Sequence, residues 1–487
     1  MTWLLWSALM GCHPPQKTEP LTPQFLIVLV NGLRSDSPQA SVEEKLIEQM
    51  GRRPHRHFNT MYATSASKNI SFASLLTGDY PSAIPICGKP GENKSRQDLW
   101  CSSIPQTRHT LPEILEIYGY KTAFFNADVS DLSDMGRGFS ELHQWSTEGA
   151  NHKKDWTLLR HQLTSWWSKE DHPKLAIISL DLMGMDLKKA ASQAYLNYPL
   201  DAEEQAAVDK KYPAYQPTST THIQWPFLSR AGAESFKEAY EAEVEKIGTE
   251  IQKSLVELQK VGDTKGLWVF VTSLRGVSLG ELGGVSHPEQ HIAGMSAMLL
   301  DRSLRIPLMI WGPPSHEPTV TEPVEIIDLL PSLTELAHIP SPQGIAGHSL
   351  FQDSTDHSAY AEFGDMLVLR EDDWFLSFRE DIHGISSLDP RLTQALIQST
   401  PSHIRNKVFE LNPNQEDMSE KLDHFTLFHL GTDPNQTQNL IAEEPDTFAR
   451  MAYKLLFRRL NEAAPPKESM SFEQVEALNQ NGVIHYW

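Results

Sequence analysis

Two pairs of histidines have a spacing that suggests metal binding. His55 and His57 lie among three arginines, whose positive charges disfavour a bound cation. His287 and His291 stand four residues apart, as on one face of a helix, but Pro288 disfavours a helix there and no carboxylate-rich partner is identifiable. We therefore assign neither pair to a metal, and we predict no metal ion or other cofactor.

The three cysteines include no C-x-x-C pair, so the sequence offers neither a zinc ribbon nor a thioredoxin-type redox motif. Residues 1–10 form a short apolar run that ends at Gly11-Cys12 and resembles a bacterial lipobox. We predict a lipoprotein-type signal over 1–12, acylation of Cys12 and a Pro-rich tether over 13–24. The run lacks Lys and Arg, however, so an apolar leader with an incidental Cys12 is the alternative. Cys87 and Cys101 bracket a polar loop and are either a disulfide pair or two separate thiols.

Composition limits the classes of protein to consider. The chain has 487 residues, of which 40% are hydrophobic and 22% charged, so it can close a large core. Its formal net charge of −21 argues against a protein that coats nucleic acid, because neutralising phosphates needs an excess of Lys and Arg. We predict a folded, exported protein with no nucleic-acid partner, attached to the membrane through its lipid anchor.

Apolar runs alternate with helical patterns over residues 25–353. The runs are typical of strands buried on both faces of a parallel sheet, and they cover residues 25–30, 121–125, 175–180, 267–272 and 306–311. Helical spacing is present at 110–118 and 235–261, whereas 187–230 lacks a steady period and is predicted to be an insertion. The alternation predicts an α/β fold with a mostly parallel central sheet flanked by helices.

The chain becomes more polar after residue 353. Strands are predicted at 367–378 and 427–430, and a helix at 445–461. We therefore predict a smaller α+β domain over residues 354–487.

Several blocks, in order, resemble the sulfatase branch of the alkaline-phosphatase superfamily. They include the opening strand and turn LIVLVNGLRSD, the segment that ends ASLLTGDYP, and the later blocks LWVFVTSLRGVSLG, SLRIPLMIWGP and LFHLGTDPNQTQNLIAEEP. Each block is weak alone, but together they span about residues 25 to 460. The resemblance implies a sulfatase-like fold.

The resemblance also implies a nucleophile, which this sequence lacks. Sulfatases make a formylglycine from the Cys or Ser of C-x-P-S-R, and the aligned run here is KNISF, residues 68–72. Lys68 is not a substrate for that modification, and Phe72 cannot supply the arginine's guanidinium. Other hydroxyl groups lie nearby, on Thr64, Ser65, Ser67 and Ser71. In related phosphoryl-transferring branches such a hydroxyl group needs a metal to activate it. We therefore interpret these four residues as small side chains at the start of a helix and not as nucleophiles.

The metal positions implied by the resemblance are also changed. The family's two Asp positions after the first strand are Asn31 and Gly32, and its second metal segment reads Leu274-Arg275. A divalent cation needs hard oxygen ligands, and of these four residues only Asn31 has a side-chain oxygen. The substitutions argue for a sulfatase-like fold without the sulfatase mechanism.

Lys68 and Arg275 suggest a different use of the same place. Two cations near a helix N-terminus could hold a sulfate, phosphate or carboxylate group without cleaving it. The alternative is that Phe72 and Leu274 fill the old pocket, while the two cations point to solvent or pair with Asp186 or Glu281.

The sequence thus predicts an exported sulfatase-like protein without a catalytic nucleophile or metal ligands. Its expected role is non-catalytic, either binding an anionic or sulfated ligand or interacting with a protein of the cell envelope. A diverged hydrolase of sulfuric or phosphoric esters is the alternative.

Overall fold

The computed structural model describes most of residues 25–353 and part of residues 354–487. The described residues are 22–35, 55–84, 104–127, 136–144, 156–169, 172–182, 185–211, 228–262, 264–280, 300–313, 323–352, 358–363, 366–379 and 425–461. The predicted signal, the three cysteines, Glu281, His287 and His291 lie outside these residues.

A large sheet forms the centre of the molecule. Its eight strands, in spatial order, are β4 (Glu141–Gln144), β3 (Lys121–Ala127), β5 (Lys174–Asp181), β1 (Gln24–Asn31), β6 (Leu267–Thr272), β7 (Arg305–Trp311), β2 (His55–Tyr62) and β8 (Val324–Glu325). Strand β7 pairs antiparallel with both β6 and β2, and the other pairings are parallel. The predicted mostly parallel sheet is therefore confirmed.

Strand β1 shows why these apolar runs become central strands. Phe25, Ile27 and Leu29 belong to the hydrophobic core on one face of the sheet, whereas Leu26 and Val28 belong to the core on the other face. Successive side chains of a strand point to opposite faces, so a run that is apolar at every position is stable only when both faces are covered.

Helices cover both faces of the sheet. They are α1 (Lys68–Thr77), α2 (Leu111–Ile117), α3 (Trp156–Trp167), α4 (Met185–Asn197), α5 (Ala202–Lys211), α6 (Arg230–Val261), α7 (Asp301–Leu304), α8 (Leu329–Leu336) and α9 (Pro445–Asn461). Residues of α1, α2 and α8 join the Phe25 face, and residues of α3, α4 and α6 join the Leu26 face. No helix in the described part of the chain is long and apolar enough to span a bilayer.

Two sequence predictions of local structure are wrong in detail. Residues 187–230, predicted to be an insertion without a steady period, contain most of α4 and all of α5, whose exposed faces are polar. The run at 367–378 is two strands, because the chain reverses at Asp372, which has a left-handed φ of 48°. Helix α1 begins at Lys68.

A second sheet, which is antiparallel, follows in the C-terminal region, where the sequence predicts an α+β arrangement. Its order is β12 (Phe425–His429), β11 (Trp374–Arg379), β10 (Met366–Glu371) and β9 (Ser358–Phe363). Helix α9 contributes Phe448 and Met451 to the same core that contains α1. The two regions therefore share one continuous hydrophobic core.

Buried charged groups join these regions. Arg458 of α9 donates to the Glu325 carboxylate at 2.8 Å, to the Tyr80 hydroxyl at 2.6 Å and to the Ser358 carbonyl at 3.0 Å. Tyr80 in turn donates to Glu325 at 2.9 Å, and the amide of Tyr360 donates to the other Glu325 oxygen at 2.8 Å. A buried ion pair with this many hydrogen bonds is costly to break from one side.

We predict that Arg458→Met destabilises the protein by about 3–5 kcal/mol, because it leaves the Glu325 carboxylate buried without its cation. Arg450→Met is the matched control, since Arg450 is 51% exposed and its partner Glu371 keeps a second cation, Lys454, at 3.1 Å. A loss of about 1 kcal/mol or less is expected. Urea unfolding measures both values. Equal losses in the two variants would contradict the role assigned to Arg458.

Candidate functional site

The candidate site lies at the edge of the large sheet where the carboxyl ends of its parallel strands meet. Strand β1 ends at Asn31, β6 is followed by Leu274 and Arg275, and β2 leads through a short loop to Lys68. Strand β2 runs parallel to β6 because both are antiparallel to β7. Open α/β sheets bind ligands at this edge.

Backbone hydrogen bonds bring the turns after β1 and β6 together. The amide of Gly32 lies 3.2 Å from the carbonyl oxygen of Arg275 and 3.1 Å from the hydroxyl of Ser273. Ser273 also donates to the Arg275 carbonyl at 2.6 Å. On the other side of the turn, Tyr240 of α6 donates to the Gly32 carbonyl at 2.8 Å. Asn31, Gly32 and Arg275 are thus brought together, as the resemblance implies.

A second connection runs from this junction toward α1. The amide of Gly276 donates to the carbonyl of Ser303 at 2.8 Å, and the amide of Ala63 donates to the carbonyl of Leu304 at 2.9 Å. Ala63 is the first residue after β2 and opens the loop that leads to Lys68. A side chain at Gly276 has no room, because its Cβ would lie 2.1 Å from the Arg302 carbonyl oxygen.

Lys68 is the first residue of α1, and Ser67 is its N-cap without a side-chain capping bond. The amide of Ser67 lies 3.4 Å from the Ser65 hydroxyl, and the Ser71 hydroxyl donates to the Ser65 carbonyl at 2.9 Å. Thr64, Ser65, Ser67 and Ser71 are all buried. The hydroxyl groups of Ser65 and Ser71 therefore take part in the local structure of the helix start.

Phe72 and Leu274 are part of the hydrophobic core. Both are fully buried, and the Phe72 ring stacks on Phe124 of β3 with centroids 5.1 Å apart. Phe72 thus makes an apolar contact at the position where the resemblance implies an arginine. Leu274 likewise packs in the hydrophobic core at a position where the resemblance implies a metal ligand.

Lys68 and Arg275 are also buried, each with 2% of its surface exposed, so neither side chain points to solvent. Asp186, one partner suggested by the sequence, is instead 75% exposed and lies 3.8 Å from Lys246 of α6. Two buried cations therefore place positive charge at this edge of the sheet.

The residues at the four metal positions do not fit a divalent cation. Asn31 directs its amide nitrogen to the Ser179 hydroxyl at 3.0 Å, Gly32 has no side chain, Leu274 is apolar and Arg275 is positive. Among the described residues, no group of three or more His, Cys, Asp or Glu side chains could hold a metal. Hard cations need several oxygen ligands, which these positions do not supply.

Three further polar residues at this edge were not selected from the sequence: Asp181, Ser179 and Asn126. Asp181, the last residue of β5, is in register with Asn31, and Asn126 of β3 is in register with Ser179. All three side chains are buried. Each of the three lies at or near the end of an apolar run. Polar residues at the ends of several such runs are the sequence signal that could have identified them, because adjacent parallel strands end at the same edge of a sheet.

The segment after α1 carries a buried acid. Burial raises the pKa of Asp79 to about 6, and the guanidinium of Arg108, 3.3 Å away, acts in the opposite direction. Asp79 follows Gly78, whose carbonyl accepts from the amides of Ala346 and Gly347. The C-terminal end of α1 is therefore held firmly in place.

Comparisons with known proteins agree with this geometry. The sequence model of the sulfatase family matches residues 23–339. No curated protein matches the chain in a sequence search.

Solved structures with the same fold include three that cover most of the chain. A protein in complex with its substrate D-glucosamine-2-N,6-O-disulfate has a TM-score of 0.59 and 14% identity, and the match covers 92% of this chain and 100% of that protein. The phosphonate monoester hydrolase of Agrobacterium radiobacter has a TM-score of 0.60 and 14% identity, with 90% and 96% covered. A 2-O GAG sulfatase has a TM-score of 0.57 and 15% identity, with 90% and 91% covered. Identities this low show a common fold and no more.

We predict that Gly276→Ala destabilises the protein by about 1–3 kcal/mol or more, because the added methyl group meets backbone atoms that cannot move aside cheaply. Gly431→Ala is the control, since the nearest atoms there belong to the His429 and Asp373 side chains, and a smaller loss is expected. Thermal and urea unfolding give both values. A Gly276→Ala protein as stable as the wild type would contradict the close approach of the two turns.

Proposed function

Because the chain belongs to the sulfatase family, we propose that it binds an anionic group of a ligand at the family's active-site edge without hydrolysing it. The observation that carries this proposal is the burial of Lys68 and Arg275 on elements that converge at that edge. Where the family needs a nucleophile and a metal ligand, this chain has two cations.

The chemistry of the site favours a tetrahedral oxyanion. The first turn of α1 contains no acidic residue, and the amides of a helix N-terminus attract negative charge. A guanidinium can donate two parallel hydrogen bonds to sulfate or phosphate, and an ammonium adds a point charge. A sulfated saccharide is the ligand class we propose, since one structural neighbour is described with a disulfated glucosamine as its substrate.

The same residues support the proposal that the chain does not hydrolyse its ligand. Lysine at position 68 cannot become formylglycine, and the positions implied for the metal hold no acidic side chain. Without a metal, nothing at these positions would lower the pKa of a neighbouring serine or threonine hydroxyl enough for attack.

A diverged hydrolase of sulfuric or phosphoric esters is the second candidate. It is favoured by the hydroxyl groups of Thr64, Ser65 and Ser67, which lie directly before Lys68. Metal analysis and turnover assays separate the two candidates. Bound calcium or magnesium, together with turnover of an aryl sulfate or phosphate ester that is lost in Asn31→Ala, would establish the hydrolase instead.

The location of the protein is part of the proposal. The signal predicted for residues 1–12 and the acylated Cys12 would place the binding site on a lipid-anchored protein of a bacterial cell envelope. Sulfated ligands and other envelope proteins are accessible there. Mass spectrometry of the mature N-terminus tests the anchor.

We predict that isothermal titration with sulfate and with glucosamine 6-sulfate detects binding that weakens at least tenfold in Lys68→Met and in Arg275→Met. Each variant removes charge-assisted hydrogen bonds of about 1.5–3 kcal/mol. Lys246→Met is the matched control, because Lys246 is 50% exposed on α6 and pairs with Glu243 at 3.0 Å, and its affinity should equal that of the wild type. The absence of binding at millimolar ligand would refute the anion site.

We also predict that Lys68→Cys, co-produced with a formylglycine-generating enzyme, has no sulfatase activity above background. The variant restores only the cysteine, because Ile70 and Phe72 still stand where the modified motif has Pro and Arg. Leu274 and Arg275 also still stand in place of metal ligands. An aryl sulfate assay with calcium or magnesium present measures the outcome. Metal-dependent turnover by this single variant would show that the metal site is intact.

A further inference from the structure

The one-turn helix α7 contacts the turn that carries Arg275. Its Ser303 carbonyl accepts from the amide of Gly276, the residue after Arg275, at 2.8 Å. The Arg302 carbonyl lies against the same glycine, where an added Cβ would come within 2.1 Å of the carbonyl oxygen. The backbone of α7 therefore limits where Arg275 can lie.

The same helix contacts the segment that leads to Lys68. Its Leu304 carbonyl accepts from the amide of Ala63, five residues before Lys68, at 2.9 Å. The carboxylate of Asp301 accepts from the hydroxyl of Tyr62, the last residue of β2. A displacement of α7 would therefore affect both segments that carry the buried cations.

The loop after β12 is bonded directly to α7. The side-chain oxygen of Gln436 accepts from the Asp301 amide at 2.9 Å. One guanidinium nitrogen of Arg302 donates to the Pro434 carbonyl at 2.8 Å and to the Asn435 side-chain oxygen at 2.9 Å. This loop belongs to the block LFHLGTDPNQTQNLIAEEP, to which the sequence assigned no role.

Gln436 occupies its place in this loop in an unfavourable state. Its φ of 54° lies in the left-handed region, which is unfavourable for a residue with a side chain. It is buried, whereas Asn435 and Thr437 on either side are exposed. Among the described residues, its side-chain nitrogen has no hydrogen-bond acceptor. Strain and an unsatisfied buried group at one residue point to a position whose geometry serves a function.

We infer that Gln436 is a positioning residue, which fixes α7 and thereby sets the placement of both Lys68 and Arg275. Its effect on anion affinity rests on the proposed function. Its control of the two segments is independent of any ligand.

Two variants of Gln436 form the decisive pair. Gln436→Met has a side chain of similar length but offers the Asp301 amide only a weak acceptor, whereas Gln436→Glu keeps an acceptor oxygen. Gln438→Met is the matched control, because Gln438 is exposed in the same loop.

Hydrogen exchange of the full chain without ligand tests the control of the two segments. In Gln436→Met, we expect peptides over 62–66 and 273–277 to open roughly fivefold more often than in the wild type, because the bonds of Ala63 and Gly276 to α7 weaken together. Peptides over 121–127 of β3, which three strands separate from β7, should exchange as in the wild type. Gln436→Glu and Gln438→Met should match the wild type in all three peptides.

Asn435→Ala is a milder variant, which keeps the test valid if Gln436→Met does not fold. It removes one acceptor of Arg302 at an exposed position. Opening of 62–66 and 273–277 should increase together, by roughly threefold. An increase in neither peptide would contradict the inference.

Titration with sulfate tests the second part. We expect the dissociation constant to increase roughly fivefold in Gln436→Met and to remain unchanged in Gln436→Glu and Gln438→Met. If exchange follows the expectation but sulfate binds to none of these proteins, the control of the two segments stands and the anion site is wrong.

Three results would overturn the inference. The first is exchange in Gln436→Met that equals the wild type over 62–66 and 273–277. The second is an equal increase over 121–127, which would show a general loss of stability. The third is a Gln436→Glu protein that changes as much as Gln436→Met.

Discussion

The hydrogen-bonded junction between the turns after β1 and β6 is the constraint on which the candidate site depends. Gly32 donates toward Arg275 and Ser273, and it accepts from Tyr240 of α6. These bonds are made by backbone groups of Gly32 and Arg275 and by the hydroxyl groups of Ser273 and Tyr240, so they do not depend on the side chains at positions 31, 274 and 275. The same junction can therefore present metal ligands or, as here, an amide, a leucine and an arginine.

This independence explains how one fold can present different chemical groups at the same edge. Burial of both sheet faces and the backbone junction hold the strand ends together, whereas catalysis needs particular side chains at a few of those ends. Phe72 is an example, because it stacks on Phe124 in the core at a position where the resemblance implies an arginine. Reversing such a change would place a charge in an apolar environment.

The C-terminal region is more than an addition to the large sheet. Its helix α9 and strand β9 reach Glu325, Tyr80 and the segments around α1 through buried charged groups. The helix that begins with Lys68 is therefore positioned from two directions, by the sheet on one side and by the C-terminal region on the other. Charged groups at such an interface respond to solution conditions, unlike the apolar contacts beside them.

Much of this architecture was predictable from local sequence patterns. The apolar runs of the central strands, the helix Pro445–Asn461 and the mostly parallel sheet follow from periodicity, which depends on near neighbours in the chain. The short strands β4 and β8 and the helices α4 and α5 were missed, because their residues are polar or their runs are brief.

The sequence by itself determined which chemical groups are present at the family's positions: Asn31, Gly32, Lys68, Phe72, Leu274 and Arg275, with no acidic pair for a metal. Only the tertiary structure decided that Lys68 and Arg275 are buried and that Asp181 stands beside Asn31. It also decided that Glu362, almost three hundred residues from Thr64 and Ser82 in the chain, contacts both. The physical reason is that burial and long-range hydrogen bonds arise from strand order and packing, which residue spacing along the chain does not encode.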